Sequence, residues 1–255
     1  MTHDAPPRPA MRGVRDAAAA WRPQRPGRRA PRDLREALVE PDWGGVRVVA
    51  ALTPDEVELY KDGKTVQAPE EVLQALLDGF SGIEAVVEGH LTTDALRTSE
   101  GAFPAPPKVE RPPILIPRLR RADFQNDPYI HGRDHEVEVA ELEPQTLEAI
   151  ERGERHAFVA TDLLWLDGQP ITTVPLLERK RLLEAVLGES FLVRVSAFVR
   201  PSAEGTLIAW GTLGFRELSY RASNSRYLMG AENPDWAMAR TPSTQSGALK
   251  GPSLR

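Results

Sequence analysis

The chain has 255 residues, of which 41% are hydrophobic, enough to bury the core of one large domain or two small ones. It contains no cysteine, which excludes disulfides and thiolate metal sites, and no apolar run of the roughly 20 residues needed to cross a bilayer. Its first residues lack the apolar stretch of a secretory signal, so we expect a cytoplasmic protein. The net charge of −5 is unevenly distributed: residues 1–33 carry eight arginines and three aspartates, whereas residues 34–255 carry 24 basic and 34 acidic residues.

Residues 1–33 are rich in proline, arginine and alanine, without strand alternation or sustained helical periodicity. We predict a disordered basic arm here and a flexible tail at residues 241–255. A basic arm on an acidic body indicates an anionic partner, nucleic acid first, and the alternative is a solubilising tail without a partner. The arginines of this arm that we expect to contact phosphates are Arg22, Arg25, Arg28, Arg29 and Arg32.

Between the two tails, residues 34–240 alternate between strand and helix patterns. Apolar or alternating runs bounded by turn residues predict strands at residues 46–52, 57–60, 65–66, 83–87, 158–166, 191–198 and 215–220. Helical spacing of apolar residues predicts helices over residues 69–80, 175–187 and 204–213. Residues 95–135 are proline-rich and irregular. Short strands, a hairpin and separate helices indicate an α+β fold with antiparallel sheets.

Four motifs follow one another along residues 34–240. Residues 40–47 read EPDWGGVR, residues 162–168 read DLLWLDG, residues 174–183 read VPLLERKRLL, and residues 223–236 contain SNSRYLMG followed by Asp-Trp. In this order they resemble E-P-K-x-D-G-x-R, D-L-L-Y-L-D-G, L-P-L-L-E-R-R-x-L-L and D-S-x-Y-x-x-G with D-W, the motifs of the adenylation domain of bacterial ATP-dependent DNA ligases. The resemblance implies a ligase-like nucleotidyltransferase (ATP-grasp-like) fold, with two antiparallel sheets flanked by helices.

The same resemblance assigns a nucleophile position. In the ligases a lysine amine attacks the α-phosphate of ATP and carries AMP, and here Asp42 stands at that position. A carboxylate at this point repels the triphosphate. The chain has five lysines, none of them at this position: Lys61, Lys64, Lys108, Lys180 and Lys250.

Other pocket positions also depart from the family pattern. His90 stands where the family has a carboxylate linked to magnesium, an ion that prefers oxygen ligands, and Thr161 replaces the aromatic residue that stacks on adenine. Two family lysines correspond to Arg221 and Arg240, which stay protonated. Trp43 is a candidate to fill the space that adenosine occupies in the family. ATP and magnesium are the family's cofactors, but we predict no cofactor and no catalytic residue here.

The resemblance also implies a DNA context, although the oligonucleotide-binding domain that follows in ligases is not found after the last motif. We predict a catalytically degenerate ligase-like protein, not an enzyme, that binds nicked, broken or single-stranded DNA in DNA repair and the DNA damage response. Its predicted partners are DNA and other repair proteins, not a membrane, and its predicted location is the nucleoid. Two alternatives stay open: a protein-interaction scaffold in a repair complex, and residual ATP-dependent polynucleotide ligase activity with a partner.

Predicted DNA contacts also lie outside the arm. They are Arg47, Lys61, Arg118, Arg120, Arg121 and Arg221. We predict no metal site, because the spaced pair His131 and His135 contains Gly132 and falls in an irregular loop, where helical spacing of the two rings is not expected.

Overall fold

The structure, a computed structural model, describes residues 13–93, 95 and 156–242. In these ranges the helices are α1 (Gly13–Ala20), α2 (Glu70–Gly79), α3 (Leu176–Val186) and α4 (Glu204–Thr212), with a 3-10 turn at Pro31–Asp33. The strands are β1 (Arg25–Pro26), β2 (Ala37–Pro41), β3 (Val46–Leu52), β4 (Val57–Lys61), β5 (Lys64–Val66), β6 (Ala85–Thr92), β7 (Ala157–Leu166), β8 (Gln169–Pro170), β9 (Val193–Val195), β10 (Glu217–Ala222), β11 (Glu232–Asn233) and β12 (Trp236–Arg240).

A seven-stranded sheet forms the centre of the described structure. Its order is β5-β4-β3-β6-β7-β8, all antiparallel, and β9 pairs in parallel with β7. The central strands are rich in valine, alanine and leucine and are buried on both faces, as a sheet covered on two sides requires. One face carries Val48, Ala50 and Val87 and packs in the main core with Leu76 of α2 and Leu183 of α3.

A second antiparallel sheet, in the order β12-β10-β2, lies beside the first. The chain crosses from this sheet to the larger one between β2 and β3, at residues 42–45. The two sheets and their flanking helices confirm the predicted α+β architecture. The parallel pairings of β1 with β11 and of β9 with β7 were not predicted.

Most predicted elements are present within two residues of their expected bounds, whereas β6, predicted at residues 83–87, ends five residues later, at Thr92. The hairpin turns at Asp62 and Gly63, both with positive φ, as the Asp-Gly signal predicts. In α2 the residues Val72 and Leu76 are buried on the predicted face. The strand predicted at residues 191–198 is much shorter, because only Val193–Val195 pairs with β7.

The prediction of a disordered arm is wrong for residues 13–33. Helix α1 buries Val14, Ala17 and Ala18, and Trp21 after it is only 1% exposed. A helix of this length is unstable alone, so it depends on packing against the sheet face that carries Val49 and Ala51. We call residues 13–29 the strap. Residues 1–12 lie outside the described residues.

The predicted tail is also held at its start. Thr241 donates a backbone hydrogen bond to Arg216 O and a hydroxyl hydrogen bond to Phe215 O. Residues 243–255 and the proline-rich and acidic stretches between residues 96 and 155 lie outside the described residues. Within the part of the chain that the structure describes, no helix is both long and apolar enough to span a membrane.

Candidate functional site

The crossover turn at residues 42–45 brings Asp42 to the junction of the two sheets. Its backbone N–H donates to Glu217 O at 3.0 Å, and its side chain is exposed. Gly45 has a φ of +82°, and a β-carbon at this position would lie 2.3 Å from Leu91 O, so no other residue fits. Gly45 of the motif therefore fixes the turn that presents Asp42.

Directly behind this turn, buried charged side chains form an ion-pair network. Glu40, two residues before Asp42, is shared by two cations: Lys180 Nζ lies 2.8 Å from its Oε1, and Arg221 Nη2 lies 2.9 Å from Oε1 and donates at 3.0 Å to Oε2. Glu40 and Lys180 are almost completely buried. Because removing such charges from water is costly, they persist inside only when paired in good geometry.

Arg221 connects Glu40 to a second carboxylate, Asp162. Its Nη1 donates to Asp162 Oδ2 at 3.2 Å, while Arg179 donates from Nε to Oδ1 at 2.7 Å and from Nη2 to Oδ2 at 2.9 Å. Burial by itself would raise the pKa of Asp162, but the guanidinium groups of Arg179 and Arg221 outweigh it and hold that pKa below its usual range. Asp162 is therefore ionised inside the protein.

Lys180 is the buried lysine of this network. It follows Arg179 on α3, which packs on β7, so both cations point into the interior. Burial lowers the pKa of Lys180, and the neighbouring Glu40 carboxylate opposes that shift. The Phe198 ring, whose centroid lies 6.0 Å from Nζ, forms another wall around the amine.

A second polar chain joins the strap to the sheet through Glu88. Arg47 donates from Nε to Glu88 Oε1 at 2.9 Å, and Tyr227 Oη donates to the same oxygen at 2.7 Å. Trp21 Nε1 donates to Tyr227 Oη at 2.9 Å, and Arg47 Nη1 donates to Gln24 O at 2.9 Å. The strap thus reaches the arginine of the EPDWGGVR motif directly.

His90 and Trp236 complete the surroundings of Arg47. The Arg47 guanidinium lies 5.2 Å from the centroid of the Trp236 ring, a cation–π distance. His90 Nδ1 lies 3.4 Å from Gly44 O. Burial, reinforced by the positive charge of Arg47, lowers the pKa of His90 to about 4, so the ring is neutral at physiological pH.

Trp43 and Thr161 are both interior residues. Trp43 Nε1 donates to Ser196 Oγ at 2.9 Å, and its ring meets Phe215 edge-on with centroids 5.0 Å apart. The Thr161 hydroxyl donates to Glu88 O at 3.3 Å. Trp43 therefore belongs to the hydrophobic core of the domain, joined to the same cluster as β7.

A cleft of about 860 Å³ opens beside Asp42. It lies between the crossover turn, the α4–β10 connection and the end of β12. Arg216 and Arg240 contribute positive charge, Asp42 and Glu217 contribute negative charge, and Phe215 contributes part of the apolar wall.

The structure sorts the predicted DNA contacts into exposed and interior residues. Arg22, Arg25, Arg28, Arg32 and Lys61 are exposed. Arg29 is exposed too, but its Nη1 lies 3.2 Å from Asp235 Oδ1.

The other predicted contacts are less accessible. Arg47 is half-buried on Glu88, and Arg221 is only 5% exposed, with its guanidinium enclosed by Glu40 and Asp162. Arg221, which was predicted to contact DNA, thus has its charge paired inside the protein with two buried carboxylates. Arg118, Arg120 and Arg121, like His131 and His135, lie outside the described residues.

Several residues of the site were not predicted from the sequence. Arg179 and Lys180 were read only as part of a motif on an amphipathic helix, and Gln24 as part of the arm. The helix carries three consecutive cations, of which Arg179 and Lys180 are buried as partners of Asp162 and Glu40 while Arg181 is exposed. No local signal in the sequence distinguishes the two inward cations from the outward one. Tyr227 was likewise read as a motif residue without a partner.

Comparison with known proteins gives a structural relationship only. No protein-family model matches the chain, and no curated protein sequence matches it at a significant level. The ligase domain of M. tuberculosis LigD is similar over 87% of this chain, with a TM-score of 0.54 and 18% sequence identity, and a mycobacterial DNA ligase D complexed with ATP and MES gives the same values. The chain covers 60% of each of these two structures. The fold is that of a ligase-like nucleotidyltransferase domain.

Proposed function

We propose that this protein binds nicked, broken or single-stranded DNA during DNA repair without forming a covalent nucleotide intermediate. The observation that carries the proposal is the pairing of Lys180 with Glu40, directly behind Asp42. The one interior lysine of the described residues is thereby committed to a buried ion pair, and the exposed turn at the nucleophile position presents a carboxylate.

The proposal rests first on the chemistry of the nucleophile. In the ligases that this chain resembles, the intermediate forms when a neutral amine attacks the α-phosphate of ATP. Asp42 has no amine, and its negative charge repels the triphosphate. Lys180 lies beneath the protein surface, 2.8 Å from the Glu40 carboxylate, where its amine does not reach a bound nucleotide. Neither side chain can therefore form this phosphoramidate in this arrangement.

The surrounding residues fit ATP and magnesium poorly. His90 offers a neutral imidazole where a hard cation needs oxygen ligands, and Arg47 already neutralises the neighbouring Glu88. The charge of Arg221 is used by Glu40 and Asp162, so it is not available to a triphosphate.

DNA binding is supported by the exposed cations of the strap. Arg22 lies beside the hairpin that carries Lys61 and Lys64, and both Arg22 and Arg25 lie beside the loop after Tyr227. A surface that gathers cations from separate segments on a chain of net charge −5 suits a polyanion. Arg47, half-buried behind the strap, holds Gln24 and so fixes the position of these arginines.

The experiment is a binding series run beside a labelling assay. The full chain is titrated onto nicked, gapped, blunt and single-stranded DNA at several salt concentrations, and is separately incubated with labelled ATP and magnesium. We expect saturable binding that weakens steeply with salt, and no covalent label. Binding to none of the four DNAs would refute the DNA-binding part, and label on the protein would refute the non-catalytic part.

Repair proteins and a nucleoid location belong to the same proposal, and co-purification with DNA-associated proteins tests them.

A further inference from the structure

The loop after Tyr227 exposes two apolar side chains on a rigid base. Leu228 and Met229 are each 37% exposed, whereas Tyr227 is buried and bonded to Glu88 and Trp21. The backbone N–H of Leu228 also donates to Gln24 Oε1 at 3.1 Å. The loop is therefore held in place by the contacts of Tyr227 and Gln24, and its apolar tip, Leu228 and Met229, faces solvent.

Basic residues from three segments surround this tip. Gly230 N donates to Arg22 O at 3.0 Å, and Arg25 N donates to Ala231 O at 2.9 Å, so the strap runs directly beside the loop. Arg226, exposed on the loop itself, precedes Tyr227.

The hairpin adds the third group of cations. A β-carbon at Gly63 would lie 3.3 Å from an Arg22 Nη atom, so the turn between Lys61 and Lys64 lies next to the strap. Within residues 22–26, 61–64 and 226–232, the acidic residues are Asp62 and Glu232, against the cations Arg22, Arg25, Arg226, Lys61 and Lys64.

We propose that Leu228 and Met229 form an apolar wedge that enters an interrupted base stack, at a nick or a break, while the surrounding cations hold the phosphates. Inserted apolar side chains unstack a base step, and this costs least where the stack is already broken. The excess of positive charge favours a nucleic acid over an apolar protein partner, for which charge depletion is expected. The inference rests on the proposed DNA binding and adds the DNA structure that is preferred.

The test compares nicked and intact duplexes of identical sequence, each with 2-aminopurine beside the nick position. The proteins are the full chain, the double variant Leu228→Ala/Met229→Ala, and the control variant Ile83→Ala. Ile83 is also apolar and exposed, but it precedes β6 at the end remote from His90 and the Arg47–Gln24 contact. Thermal unfolding midpoints establish that all three proteins are folded.

We expect the full chain and Ile83→Ala to prefer the nicked duplex and to raise 2-aminopurine fluorescence there. In the double variant the preference should fall about tenfold, the scale of one lost stacking contact, with the fluorescence rise lost and intact-duplex binding unchanged. Equal binding of nicked and intact DNA by the full chain, a double variant that keeps its preference, or equal losses on both duplexes would each overturn the wedge. These outcomes would leave the proposed DNA binding intact. If the full chain bound neither duplex, the proposed function itself would be refuted.

Discussion

The ammonium group of Lys180 and the carboxylate of Glu40 lie 2.8 Å apart in the interior. Glu40 precedes the exposed Asp42 by two residues. Arg221 shares the same carboxylate and extends the network to Asp162 and Arg179. Charges of this kind stabilise the fold only as a complete set, because each depends on a partner that is equally removed from water.

Lys180→Met should therefore destabilise the protein strongly. The substitution preserves much of the side-chain volume but leaves Glu40 with Arg221 alone, and a broken buried ion pair costs about 3–5 kcal/mol. Urea denaturation measures the change. Arg181→Met on the same helix is the matched control, because its ion pair with Glu178 is exposed and should contribute less than about 1 kcal/mol. Equal stabilities of the two variants would show that the network does not support the fold.

Trp21 should determine whether the strap stays attached. Trp21→Ala removes a buried ring and the donor to Tyr227, so we expect a loss of about 3–5 kcal/mol and rapid tryptic cleavage after Arg28 and Arg29, since proline follows Arg22 and Arg25. Trp21→Phe keeps an aromatic ring and loses only the hydrogen bond, which should cost about 1–2 kcal/mol and leave the strap protected. Rapid cleavage of the unaltered chain within residues 22–29 would contradict a docked strap.

The buried ion-pair network and the strap also show which features could be predicted from the sequence and which could not. The β3 strand, the Asp-Gly hairpin and α2 were predicted because their periodicity and turn residues are local signals. Strand β2 was not predicted, since it is buried along its whole length and contains Glu40, a charge that only distant cations make tolerable inside.

The strap was misread for a similar reason. Its composition is that of a flexible segment, and an eight-residue helix has little stability of its own. Trp21 supplies the stability that the helix lacks, because its ring is buried and its Nε1 donates a hydrogen bond to Tyr227, 206 residues further along the chain. Likewise, the burial of Arg221 could not be predicted locally, because its partners Glu40 and Asp162 come from two other strands.

His90 should make stability depend on pH. Its pKa is lowered to about 4 in the folded chain, from an ordinary value of 6.5, so between these values the unfolded chain binds the proton more tightly. Above pH 6.5 the neutral ring contributes fully to the free energy of unfolding. As the pH falls from 6.5 toward 4, this contribution is lost and the free energy of unfolding decreases by about 2–3 kcal/mol. Denaturation curves from pH 7 to 4.5 for the full chain and His90→Asn measure it. The variant should show the shallower loss, and parallel curves would contradict a neutral, half-buried His90.

Arg22 and Arg25 should contribute to the salt dependence of DNA binding. Replacing both with glutamine should reduce the slope of log K against log salt by about 2, since each phosphate contact contributes about 0.9 on duplex DNA. Arg15→Gln is the control from the same segment, because Arg15 is already paired with Glu56 and Glu58. A slope unchanged in the double variant, or reduced equally by Arg15→Gln, would argue against a phosphate contact by these two arginines.

The most direct test of the central claim is the intact mass of the full chain after incubation with ATP, magnesium and nicked DNA. With Asp42 at the turn and Lys180 enclosed by Glu40, we expect a mass unchanged by nucleotide and a nick that stays unsealed. A mass increase of one AMP on any side chain would contradict it.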